Sequence, residues 1–224
     1  MARLLIADDS PMHARHDIDG MQASQLDAIA FCANAIDFLY RRLLHGLHEA
    51  GTEHFHQADH TLPDAWAMVD WIYRLDGLVD RCRGFPKESP AKVDYRNSSS
   101  LVENQRHAIQ HLTGTIPELV ESGRSPWGHL CWILAMRPTE EGERRAVVKC
   151  VSGSLRGARD PEFRIPALAF PRGPIDYLTL YSGDGEVELG LTGQHEALLR
   201  SIPALEAAVA VAEPNDRGIL QLDL

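Results

Sequence analysis

The sequence predicts an α+β fold: a helical bundle first, then a small antiparallel β-sheet, then a closing helix. Three observations carry the prediction. Apolar residues recur at three-and-four spacing through residues 22–82, short β-branched and aromatic runs replace that period after "GRSPWG", and Gly, Pro and capping residues punctuate the boundaries. Residues 1–125 are read as the bundle, and residues 126–224 as the small sheet plus a last helix that packs on the bundle.

Residues 22–50 place Leu26, Ile29, Ala33, Ile36, Tyr40, Leu43 and Leu47 on one stripe of a long helix, with Gly51 as its stop. In "DHTLPDAW", Thr61 caps a second helix whose first turn holds Pro63 and Asp64. Its stripe, Ala65, Val69, Ile72, Leu75 and Val79, runs to about Cys82. "RGFPKESPAKVDY", with two prolines and a glycine, reads as a loop. Ser100 and Glu103 form a capping box that starts a third helix near Leu101, with Leu101, Val102, Ile109 and Leu112 as its inner seam and Gly114 as its end. Thr115 and Glu118 form a second box, so "IPELVES" is expected as a separate short helix.

"HLCWILAM" and "RRAVVKCV", joined by "RPTEEGE", predict one hairpin, and "DYLTLYSGDGEVELGL" predicts another turning at Gly183, Asp184 and Gly185. The last helix, Gln194 to Ala212, should pack through Leu198, Leu199, Ile202, Leu205 and Val209 in spite of Pro203.

The composition, 44% hydrophobic and 24% charged, is that of a globular protein, and no apolar run approaches the length that crosses a bilayer. "MARLLIADDS" has too short an apolar run for a secretory signal, so a cytoplasmic location without membrane partners is expected. The scattered Cys32, Cys82, Cys131 and Cys150 read as small buried hydrophobes. The net charge of −10 argues against nonspecific coating of nucleic acid, but residues 81–172 carry +5 between flanks of −8 and −7. That leaves two readings of the middle of the chain, a local anion-binding surface or basic residues spread over a solvated face.

That segment holds "SSSLVENQRHAIQHLTGTIPEL". On a helix, Glu103, His107 and Gln110 lie in the arc between Arg106 and His111, opposite the apolar seam. Glu103, His107 and His111 follow one another at i, i+4, so the carboxylate can orient His107. A guanidinium grips phosphate by a fork of N–H donors and an imidazole moves a proton near neutrality, which together suit phosphodiester chemistry. Four arginines, Arg41, Arg42, Arg106 and Arg124, precede a histidine at this spacing, and only Arg106 has a continuous polar arc leading to it. The plain structural alternative is a solvated helix face.

"QRHAIQHL" resembles the Arg-x4–6-His signature of the HEPN superfamily of helical bundles, and the likeness extends loosely over "AIDFLYRRLL", "WAMVDWIYRLDGLVDR" and "SPWGHLCWI". It covers about residues 25–135 and leaves the strand-rich part outside. The resemblance implies a HEPN-like bundle, dimerised so that signature helices face each other. In active members it implies metal-independent RNA cleavage in toxin–antitoxin or phage-defence systems, with a cognate antitoxin or defence protein as partner. Arg106 and His111 match the signature pair, and His107 matches the polar position after the Arg. Many members bind without cutting, so a noncatalytic nucleotide- or protein-binding module is the alternative. No cofactor is expected.

Asp70 and Arg74 are spaced as an ion pair on the second helix and could line the same groove as supporting residues. "HGLHEAGTEHFHQADH", with His45, His48, Glu49, Glu53, His54, His56 and His60, is dense enough to bind a divalent metal. It lacks H-E-x-x-H, and Gly51 interrupts it, so no metal site is assigned.

Overall fold

The computed structural model describes residues 4–13, 15, 17–52, 61–85, 90–135, 145–151 and 175–222. Its elements in chain order are α1 (Gly20–Thr52), α2 (Thr61–Arg81), α3 (Pro90–Ser99), α4 (Val102–Gln110), α5 (Leu112–Glu121), β1 (His129–Ala135), β2 (Arg145–Val151), β3 (Ile175–Tyr181), β4 (Glu188–Gly190) and α6 (Leu191–Val211). This is the helices, four-stranded antiparallel sheet and C-terminal helix expected of an α+β chain. None of the described helices is long and apolar enough to cross a membrane. The chain forms two compact units: residues 1–39, 70–100 and 194–224 make the first, and residues 40–69 and 101–193 the second.

In the first unit the expected stripes are the core. Leu26, Ile29, Ala33 and Ile36 of α1, Ile72, Leu75 and Val79 of α2, and Leu198, Ile202, Leu205 and Val209 of α6 are all buried. Leu199, expected in the α6 stripe, is 42% exposed instead. It lies one residue, about 100°, round the helix from Leu198. Polar side chains lock the packing. Asn34 exchanges hydrogen bonds with the backbone of Ile6, accepting at 2.8 Å and donating at 3.0 Å. Arg15 donates to the Val209 and Ala212 carbonyls at the end of α6, where a cation suits the helix dipole. Asp37 and His195 meet at 2.9 Å inside the unit, a pair that periodicity could not reveal.

The segment expected as a loop contains α3. Pro90 occupies its first helical position, where a missing N–H costs nothing, so this proline starts the helix instead of preventing it. Lys92, Tyr95 and Ser99 are buried at i, i+3 and i+7. The lysine at a core position hid that period. It is accommodated because Nζ donates to the Asp80 carbonyl at 2.8 Å and lies 3.3 Å from the Asp80 carboxylate.

In the second unit, Tyr40, Leu43 and Leu47 of α1 and Leu62, Ala65, Met68 and Val69 of α2 are buried. Arg42 forms a bidentate pair with Asp64, and Tyr40 donates to Thr192 Oγ1 at 3.0 Å. The sheet order is β2-β1-β3-β4, antiparallel throughout. Both expected hairpins form their ladders; the "RPTEEGE" connection lies outside the described residues. β1 is central, and Leu130, Trp132 and Leu134 on one face and His129, Cys131 and Ile133 on the other are all buried.

All four cysteines are buried, and none forms a disulfide. In the first unit, burial pushes the Cys82 thiol up to about 12 from an ordinary 9.0, with nearby Lys92 pulling the other way. Two predictions follow from this packing. Leu75→Ala, at a fully buried site, should lower the free energy of urea unfolding by about 2–5 kcal/mol, while Leu199→Ala should change it by less than about 0.5 kcal/mol. Because the folded state favours the neutral Cys82 thiol, its contribution is fully present below the unfolded value near 9 and is lost as pH rises toward 12. Urea titrations between pH 8 and 11 should therefore show a shallower alkaline loss of stability in Cys82→Ala than in the parent.

Candidate functional site

The predicted arc lies in the second unit, on a helix that is broken where the sequence suggested continuity. α4 stops at Gln110, and His111, with φ −91° and ψ 4°, is at once its C-cap and the N-cap of α5. Gly114, the expected end, lies inside α5, and Thr115 begins no separate helix. Pro117 accounts for the bend. It has no N–H for the Thr113 carbonyl and its ring crowds that group, so the chain departs from straight helix just upstream. Neither capping box forms. Ser100 Oγ donates to the Asn97 carbonyl and Thr115 Oγ1 to the Leu112 carbonyl, each three residues back.

The inner seam is also partly different. Val102 and Leu112 are buried as expected, but Leu101 is 47% exposed and Ile109 half-buried, while Gln105 fills a core position. Gln105 Oε1 is buried without a hydrogen-bond partner.

Outward, Glu103, His107 and His111 are exposed and Arg106 is half-buried. Glu103 Oε1 lies 4.0 Å from His107 Nε2, a loose i, i+4 contact. The His107 and His111 rings meet edge to face with centroids 6.2 Å apart. Gln110, with its amide oxygen turned to the guanidinium, accepts from Arg106 Nη1 and Nη2 at 3.2 and 2.8 Å. The imidazoles are thus together, and the arginine beside them is gripped from its own helix.

His111 lines a pocket of about 360 Å3, together with Thr115, Glu118 and Ser122 of the α5 region, Arg124, and Asp184 and Glu186 of the β3–β4 turn. Arg106 is not among its lining residues. The pocket has two chemical characters: His111 and Arg124 suit a phosphate, and the carboxylates suit amino donors such as those on a nucleobase edge. Arg124 has the Arg–His spacing in the sequence but sits in a Pro/Gly loop, so only the tertiary fold brings it near His111. The turn is fixed by Ser182, which bonds Asp184 through its hydroxyl and accepts from Val187 N at 3.0 Å, and by Asp184, which accepts from Glu186 N at 3.0 Å.

Asp70 and Arg74 belong to the first unit, where Arg74 Nε donates to Asp70 at 2.7 Å. Of the histidine-rich segment, His45 and His48 are exposed on α1, and Glu53, His54, His56 and His60 lie outside the described residues. Among the described residues no three metal-ligating side chains cluster.

A second polar group in the sheet was not foreseen. β1 and β3 lose register between Cys131 and Ile133, and Tyr177 there is the one non-glycine of positive φ among the described residues, at 52°. On that side of the sheet His129 stacks on Tyr181 at 4.7 Å, and Thr179 and Asp176 are buried with them. Burial, with Glu188 acting in the same direction, holds the Tyr181 phenol well above its ordinary value. The polar residues at alternate strand positions were the available signal.

Compared with known proteins, the chain matches no family model, no curated protein and no solved structure. The chemistry of the arc therefore rests on its own geometry.

Gly183 tests how the pocket is built. A Cβ there would stand 2.6 Å from the Pro126 carbonyl oxygen and 2.9 Å from that of Ser125, so Gly183→Ala must push the turn off the 125–126 backbone. It should cost about 1–3 kcal/mol in urea unfolding. Gly193→Ala, where nothing lies within 4 Å, should be neutral or stabilising by up to about 1 kcal/mol.

Proposed function

We propose that the protein is a metal-independent endoribonuclease resembling the HEPN type, acting as a toxin or phage-defence component in the cytoplasm, with arcs from two copies of the chain completing one site. The observation that carries this reading is the edge-to-face pair of His107 and His111 on an exposed face, with His111 at a pocket that Arg124 also lines. Arg106 holds the scissile phosphate. His111, as neutral imidazole, takes the proton of the ribose 2′-hydroxyl as that oxygen bonds to phosphorus. The P–O5′ bond breaks, and the leaving oxygen takes a proton from an imidazolium, giving a cyclic phosphate and a 5′-hydroxyl end. His107 supports His111, and Glu103 orients the pair. No cofactor enters.

A second reading has its own observation. The Gln110 amide oxygen accepts from both terminal nitrogens of Arg106, and a phosphate gripped by that same edge of the guanidinium would have to displace it. A module that binds nucleotide or a cognate defence protein without cutting needs no such exchange at a reacting centre.

Purified protein should cleave RNA in EDTA and leave cyclic phosphate ends. Arg106→Ala and His111→Ala should each lower the rate by about 100- to 10,000-fold with unchanged circular dichroism. RNA left intact between pH 5 and 9, or bound equally well by both variants and parent without cleavage, would leave only the binding module.

A further inference from the structure

The pocket that His111 lines lies wholly within the second unit, and it joins the α5 helix to the turn between β3 and β4. His111, Thr115, Glu118 and Ser122 line it at three-and-four spacing. A Cβ on Gly183 would stand 3.1 Å from Leu119 Cδ1, so the turn meets α5 about 10–12 Å along the helix from His111. Both signs of charge share this space. Among the described residues, the Arg124 guanidinium and the Glu118 and Glu186 carboxylates make no hydrogen bond or ion pair, so cation and anions line one cavity without meeting. Asp184 is engaged differently. Its Oδ1 accepts from the Ser182 hydroxyl and from Glu186 N at 3.0 Å, which fixes the turn that presents Glu186.

We propose that this pocket selects guanosine: the base lies at the β3–β4 turn with Glu186 accepting from its N1–H and its N2 amino group, Arg124 grips a phosphate of the same nucleotide, and the ribose 2′-hydroxyl faces His111. The inference rests on the ribonuclease reading for the nucleotide and adds the base to it. Charge makes the first selection. Three carboxylates repel a bare anion, so a phosphate is held only when the molecule that carries it also supplies N–H donors to them. A volume of about 360 Å3 suits one ligand of nucleotide size. Donor pattern makes the second selection. An unstacked base is read on its Watson–Crick edge, and guanine alone of the four sets two N–H donors side by side there, matching the two oxygens of one carboxylate. Adenine and cytosine place a ring-nitrogen acceptor beside their amino group, and uracil flanks its single N–H with carbonyl oxygens. Each of these turns an acceptor toward Glu186.

Calorimetric titration of the parent with 5′-GMP, 5′-AMP, 5′-CMP and 5′-UMP should give GMP a dissociation constant lower than the others by about 10-fold or more. 5′-IMP, which keeps N1–H and lacks the amino group, should fall between. Glu186→Gln should remove the preference for GMP, while Glu118→Gln keeps it; both side chains are exposed, so the circular dichroism of the parent should persist. Arg124→Ala should weaken all four nucleotides by a similar factor, because the phosphate is common to them. GMP bound no better than the other three overturns the proposal, as does a preference that survives Glu186→Gln. So does inorganic phosphate or free arginine bound as tightly as GMP, since the site would then be reading an anion alone or a guanidinium. All of this is measured without cleavage, so the two readings fail separately: a protein that prefers GMP and leaves RNA whole keeps this inference and loses the nuclease, and one that cuts after every base alike without preferring GMP does the reverse.

Discussion

Gln22 is the side chain on which the first unit closes. It is completely buried, and an unsatisfied amide in such a place would cost several kcal/mol, on the order of a large part of a domain's stability. Instead Nε2 donates to the Arg83 carbonyl at 2.7 Å and the Leu220 carbonyl at 3.0 Å, while Oε1 accepts from Leu220 N at 2.8 Å. The start of α1, the exit of α2 and the terminal stretch are thereby tied at one point. Gly84 makes the approach close enough: with φ at 82°, a Cβ would stand 1.8 Å from the Leu220 oxygen, and the Gly84 carbonyl accepts from Leu222 N at 2.9 Å. The same antiparallel register of α1 and α2 that brings residue 22 to residue 83 brings Phe31 to Trp71, so the aromatic face follows from the clamp.

Regular burial was legible in the sequence because it depends on period alone. The α1 and α2 stripes, both hairpin ladders and the position of α6 are set by which residues are apolar and how often they recur. What the period concealed was a polar residue doing a core residue's work. Lys92 in α3 and Gln105 in α4 both occupy buried seams, and a pattern scored on hydrophobicity reads each as an outward position. The prolines misled for a related reason. A proline's effect depends on where the helix begins, so Pro90 initiates α3 while Pro117 bends the chain ahead of it.

The arc was legible as a set of residue types, and its geometry was not. Wheel arithmetic assumes a straight helix, and it held from Glu103 to His107, but His111 sits at the bend where the backbone leaves helical values. The bend directs attention from Arg106 to Arg124, since it is Arg124 that shares the pocket with His111. Nor could spacing show that Gln110, counted as one more polar member of the arc, is the partner of Arg106. Such a fork can serve either end: it holds the guanidinium in place for a phosphate, or it satisfies the group and keeps it quiet. The difference lies in whether a phosphate, which forms charge-assisted hydrogen bonds, displaces a neutral amide that forms weaker ones.

The arc and the rings around Phe31 differ in the physical forces they offer. The arc is imidazole, guanidinium and carboxylate, groups whose attraction to a ligand is electrostatic and weakens as salt screens it. The face around Phe31 and Trp71 is mostly ring surface, whose burial depends on area removed from water and is little affected by moderate salt. Rising ionic strength would therefore weaken the hold of the arc on any anionic ligand while leaving apolar contacts of the rings largely intact. The α1 phenylalanines stand opposite a stripe already sufficient to bury the helix, so the core does not account for them.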